Sequence, residues 1–252
     1  MHSPCTIFAV INKGKNMVKT EYEIITGEMT ALRDDAQSEQ LQRFFKTGEG
    51  EYGHGDKFLG IKVPATRSVA KRHKTADNDT LRRLMQSEWH EIRLCALLIM
   101  VEKMKKADDG ARRELTDMYL SVTDRINNWD LVDLSAPHIV GTYLLDKPRD
   151  LLYTLAGSPL LWDNRIAMVA TYAFIKQGDL DDTYALALRF ISHPHELMHK
   201  ATGWMLREAG KRDMGRLRAF VMEHHAQMPR TMLRYAIEKF PEDERKMILR
   251  MK

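Results

Sequence analysis

Four side chains in this sequence, two indoles, a carboxylate and a guanidinium, have the types and spacing to do chemistry. The first two lie in Asn127-Asn128-Trp129-Asp130-Leu131-Val132-Asp133. Asn128 is a good helix N-cap, because its side-chain oxygen can accept from an orphan backbone N–H of the first turn. Trp129 and Asp133 then lie four apart on one helix face. A carboxylate beside an indole can stabilise positive charge and orient a water. The same pair also fits a partly buried Trp with a capping Asp. Asp130 is the better candidate for capping and helix-dipole duty, which leaves Asp133 free.

The other two come from later stretches. In Leu160-Leu-Trp-Asp-Asn-Arg-Ile-Ala-Met168, Trp162 and Arg165 open an otherwise apolar helix. Taken alone, the pair reads as a surface Arg snorkelling beside a packing Trp. Further on, Lys200, Trp204, Arg207 and Lys211 recur at i, i+4, i+7 and i+11. A basic face built around an aromatic suits nucleic acid, where cations hold phosphates and a ring stacks. A competing motif overlaps it: His195-Glu-Leu-Met-His199 fits the H-E-x-x-H pattern of zinc hydrolases. The metzincin continuation fails at Thr202, and we read the match as chance, with both histidines facing solvent. Nearer the N-terminus, Gly48, Gly50 and Tyr52-Gly-His-Gly55 form a loop able to bring backbone close to a ligand. Lys57-Phe-Leu-Gly-Ile-Lys-Val-Pro64 follows, and Arg67, Lys71 and Lys74 make a basic stripe on the next helix.

What positions these residues is helical throughout. Ala, Leu, Met, Arg, Lys and Glu are plentiful, whereas Gly and Pro are spaced at intervals, a helix-forming composition. Helical patterning begins near residue 19 and continues at 38–46. It then runs at 78–86, 88–105, 109–126, 128–145, 148–157, 160–177, 181–191, 194–209, 212–226, 229–239 and 241–250. Breakers fall between these segments, among them Gly110, Pro148, Pro159, Gly178, Pro194, Gly210, Pro229 and Pro241. Short-linked helices of this length predict an all-α chain, an α-solenoid of about six HEAT-like antiparallel helix pairs with a concave basic face. A single domain is expected over 17–252, preceded by a flexible extension at 1–16, and Met17 could serve as an alternative start. Cys5 and Cys95 match no CxxC spacing, which excludes a cysteine zinc site, and Cys95 reads as core. Net charge is +4, which permits a polyanionic partner without demanding one. No apolar run is long enough to cross a bilayer, and a cytoplasmic monomer without an obligate protein partner is expected.

Taken together, the stretches at Tyr52–Pro64, Asn128–Asp133, Leu161–Arg165 and His199–Arg207 resemble the DNA alkylation repair enzyme family, the AlkD-like HEAT-repeat DNA glycosylases. The resemblance spans about Tyr52 to Arg234. It implies an α-solenoid whose concave face holds duplex DNA, and excision of cationic alkylpurines such as 3-methyladenine and 7-methylguanine. By the same resemblance Trp129, Asp133, Arg165 and Trp204 are the catalytic set, Tyr52 sits beside the lesion, and Arg207 contacts the DNA backbone. Lys62, Arg67, Lys71, Lys200 and Lys211 complete the expected DNA-binding set. No metal or cofactor is implied. The resemblance further implies that the base need not be extruded into a pocket.

The residues agree with that chemistry. N3- or N7-alkylation makes the purine a cation and a good leaving group, so no strong general acid is needed, and no paired acid and base carboxylates of glycosidase type stand out. Asp133 could stabilise the positive deoxyribose and orient or deprotonate water. Trp129 and Trp204 would each add about 0.5–2 kcal/mol of cation–π contact. Arg165 is expected to hold a phosphate beside the lesion and to keep Asp133 ionised. Two other classes remain open: a non-catalytic DNA-binding solenoid, and a zinc hydrolase using His195 and His199.

Overall fold

The computed structural model describes residues 19–251, and its regular elements there are helical. The one strand-like feature among the described residues is a bridge between Lys57 and Trp89. The α-helices are α1 (Glu21–Ala31), α2 (Asp35–Phe44), α3 (Val63–Arg72), α4 (Asn78–Met85), α5 (His90–Met104), α6 (Asp109–Leu120), α7 (Trp129–Asp133) and α8 (Asp150–Ala156). They continue as α9 (Leu161–Ala170), α10 (Tyr172–Gln177), α11 (Asp181–Arg189), α12 (Glu196–Gly210), α13 (Met214–His224), α14 (Arg230–Ala236) and α15 (Glu242–Arg250). Several starts are set by side-chain caps: Asp34, Asp77, Asp108 and Asp213 each accept a backbone N–H three residues on. The extension expected at 1–16 lies outside the described residues.

Each of α3, α5, α7, α9, α12 and α14 packs on the next of that series. They form the inner row of an α-solenoid, and α4, α6, α8, α11, α13 and α15 alternate with them in the chain as the outer row, giving six HEAT-like pairs. The inner helix α5 is buried along almost its whole length, Cys95 included, because neighbours cover it on several sides. Burial pushes the Cys95 thiol up to about 12, as expected of a core cysteine. No helix among the described residues is long and apolar enough to cross a membrane.

Three helices are shorter than their periodicity predicts. The expected 128–145 helix stops after Asp133 and gives way to a π turn at Pro137–Gly141 and a 3-10 turn at Leu144–Asp146. Pro137 has no N–H to continue the ladder, and the Ser135 hydroxyl bonds back to the Leu131 carbonyl. The expected 160–177 helix divides at Thr171, whose hydroxyl donates to the Met168 carbonyl at 2.7 Å. The expected 109–126 helix ends at Leu120, and Gly110, read as a breaker, lies inside its first turn.

Gly203 fixes how α12 crosses α14. A Cβ there would stand 2.5 Å from the Met232 carbonyl oxygen and 2.6 Å from the Tyr235 Cβ. Gly203→Ala should therefore lower stability by about 1–3 kcal/mol through forced separation of the two helices. Thermal denaturation of the variant tests this, and an unchanged melting temperature would refute the close crossing.

Candidate functional site

The short helix α7 presents Trp129 and Asp133 to a cleft of about 480 Å³. The other walls are Tyr52 from the glycine loop, Arg165 from α9, Lys200, Trp204 and Arg207 from α12, and Tyr235 from α14. Seven of the side chains singled out in the sequence thus meet in one place, although they come from four separated parts of the chain. Lys62, Arg67, Lys71 and Lys211 do not line this cleft. Lys62 instead lies at a neighbouring apolar hollow of about 450 Å³, across Phe44 and Trp129. Arg67 and Lys71 stand near Glu102, whose carboxyl is lowered first by its hydrogen bond to Lys105 and then by these charges.

Arg165 is neither a surface residue nor free for a phosphate. Its guanidinium is buried, with Nε donating to Asp133 Oδ1 at 2.9 Å and Nη2 to Oδ2 at 2.8 Å. Nη1 donates to the Leu197 carbonyl at 2.6 Å, which ties the pair to α12. This bidentate geometry fixes the plane of the carboxylate. Burial pushes the Asp133 carboxyl above the usual carboxylate range, and the Arg165 charge only partly offsets it. The expectation that Arg165 keeps Asp133 ionised holds in direction, since its charge and hydrogen bonds favour the carboxylate, but desolvation is the larger influence.

The aromatic side of the cleft is layered. The Phe45 ring stacks on Trp129 at 5.1 Å, and Phe44 meets Trp129 edge-on at 5.8 Å. Phe44 is 62 % exposed, an unusual setting for a bare phenyl ring, and it lines the cleft. Tyr52 lies edge-on to Trp162 and to His195, each at 6.4 Å, and burial pushes its hydroxyl up. Phe44, Lys46, Leu197 and Tyr235 also line the cleft and were not foreseen. The run Phe44-Phe45-Lys46 just before the glycine loop was the available signal: two adjacent phenyl rings at a helix end cannot both face the core.

The basic face of α12 is not made of free cations. Lys200 pairs with Glu196 at 3.1 Å, Lys211 with Glu208 at 2.7 Å, and Arg207 with Glu238. A polyanion must displace these carboxylates to reach the cations. Glu238→Gln should therefore tighten duplex binding several-fold and steepen its salt dependence, measured by titration at two ionic strengths.

The histidines are half-buried and bonded to backbone rather than solvent-facing. His195 caps α12, its Nδ1 accepting from Leu197 N at 3.1 Å, and His199 Nε2 bonds the His193 carbonyl. Among the described residues no group of three or more His, Cys, Asp or Glu side chains is placed to hold a metal ion. Asp130 keeps part of its expected role, its Oδ1 accepting from Leu131 N at 2.9 Å in the first turn of α7. Asn128 is the N-cap, its side-chain oxygen accepting from Trp129 N at 2.9 Å, and the buried Asp130 turns its other oxygen, Oδ2, to His90.

A helical solenoid with an aromatic and basic cleft around one buried carboxylate–guanidinium pair defines the class of protein. The chain belongs to the DNA alkylation repair enzyme family, whose model matches residues 25–240. Its fold is similar to that of a predicted DNA alkylation repair enzyme from Enterococcus faecalis, with a TM-score of 0.66 and 16 % identity, over 83 % of this chain and 97 % of that one. No curated protein matches the sequence.

Proposed function

We propose that the protein is a monofunctional DNA glycosylase that hydrolyses the N-glycosidic bond of cationic N3- or N7-alkylated purines in duplex DNA. The observation that carries this reading is the Asp133 carboxylate, held in one plane by Arg165 between Trp129, Trp204 and Tyr52 in a single open cleft. A cationic purine is already activated to leave, so the protein has only to stabilise the positive deoxyribose and deliver water. Asp133 faces that charge with two oxygens in a water-poor setting, where a carboxylate acts most strongly. Trp129 and Trp204 offer electron-rich faces to the same cation. Arg165 acts on the substrate only through Asp133, as its orienting partner. Lys46, Lys200 and Arg207 at the rim suit backbone phosphates.

Incubation with N-methylated duplex DNA, followed by mass spectrometry of freed bases, tests the proposal. Release of 3-methyladenine or 7-methylguanine above the spontaneous rate is the expected result. Salt-sensitive binding without any freed base would instead make this a non-catalytic DNA-binding member of the family.

A further inference from the structure

Behind the aromatic wall of the cleft lies a group of charges that the proposed chemistry does not use. His90 of α5 is fully buried between two carboxylates. Its Nδ1 stands 2.9 Å from Asp56 Oδ2 and its Nε2 stands 2.9 Å from Asp130 Oδ2. Arg93, one turn further along α5, donates from Nη2 to Asp56 Oδ1 at 2.7 Å and to Asn127 Oδ1 at 2.8 Å. The imidazole lies against Phe58 at 4.4 Å and Phe45 at 5.2 Å, and Phe45 in turn stacks on Trp129. Glu91, its neighbour on α5, is turned to the backbone N–H groups of Leu59, Gly60 and Ile61. The charged groups facing His90 are therefore Asp56 from the glycine loop, Arg93 from its own helix and Asp130 from α7.

Two carboxylates and two cations balance only when His90 carries its proton. Burial alone would strip that proton, but the charges and hydrogen bonds of Asp130 and Asp56 hold His90 up at about 9. Asp130 sits three residues before Asp133, and its negative charge is one of the influences that push the Asp133 carboxyl up.

We propose that His90 is a positioning residue for Asp133: its imidazolium, fixed between Asp56 and Asp130, neutralises Asp130 and ties α7 to the loop that carries Tyr52. The inference rests on Asp133 being the reacting carboxylate. It gives two substitutions opposite effects. His90→Gln leaves Asp130 unbalanced and makes Asp133 harder to ionise. Asp130→Asn removes the repelling charge and makes Asp133 easier to ionise. A network that only held the fold together would not produce opposite signs.

The experiment is the pH profile of single-turnover base release at saturating 7-methylguanine duplex. The acid limb should move up by about one pH unit in His90→Gln and down by a similar amount in Asp130→Asn. It should return close to wild type in the double variant, whose charges balance again, with duplex affinity within about twofold throughout. Limbs that coincide with wild type, or that move the same way in both single variants, overturn the proposal. A carboxyl carbon NMR titration of Asp133 in wild type, His90→Gln and Asp130→Asn gives the same reading without needing activity. If wild type frees no base, the glycosylase reading fails. Opposite movements of the Asp133 titration in the two single variants then still decide the role of His90.

Discussion

Asp133→Asn should bind a 7-methylguanine duplex within about twofold of wild type and release the base about 10²–10³-fold more slowly, the usual loss for removing a positioned transition-state charge. The amide keeps an oxygen for Arg165 Nε but has no negative charge to set against the positive deoxyribose. Single-turnover kinetics separate the two effects, because affinity and rate constant are read from different arms of the same titration. Excision at the wild-type rate would remove Asp133 from the reaction. The pH dependence is tied to the same group. Since burial raises the Asp133 carboxyl, base release should fall off in acid at a pH above the ordinary carboxylate range, and that limb should vanish in Asp133→Asn.

Arg165→Met should be the most damaging single change for stability in the cleft, costing about 3–5 kcal/mol because it leaves a buried carboxylate without its partner. The Leu197 carbonyl loses its donor as well. The sign of the pH effect follows from linkage. A carboxyl whose folded pKa is raised holds its proton more tightly in the folded chain than in the unfolded one. Its contribution to stability is thus best in acid and worsens as pH rises from the unfolded to the folded value. Without Arg165 the folded value rises further, so the deficit should be large at pH 8 and shrink toward pH 5, as thermal melts at the two pH values would show. Base release by the variant should be low near neutrality and partly recover at higher pH. Arg165→Lys should not rescue either property, because an ammonium cannot span both Asp133 oxygens and the Leu197 carbonyl.

The sequence was informative where a residue type carries its role locally. Trp129 and Asp133 are one helical turn apart, so their shared face follows from helix geometry, and both do line the cleft. Arg165 and Trp204 join them because α9 and α12 are neighbours in the inner row. Partnerships made across that row were out of reach. Nothing near Asp130 in the sequence announces His90 forty positions earlier, so a helix-dipole role was the only local reading available. The helical period of α12 shows a basic stripe, but Glu238, which occupies Arg207, comes from beyond α14. Likewise, periodicity over 128–145 describes which faces are apolar. It does not register that Pro137 breaks the hydrogen-bond ladder.

The row of six pairs also sets the order in which the cleft can come apart. In a stack where each unit touches chiefly its neighbours, terminal units open more readily than central ones. Asp133 and Arg165 sit on central inner helices, whereas Tyr235 and Glu238 belong to the last pairs. Fraying from the C-terminal end would uncover Arg207 and widen one side of the cleft while leaving the carboxylate–guanidinium pair intact. Any such opening has to part the close crossing of α12 and α14 at Gly203, and it would leave the group at the centre undisturbed.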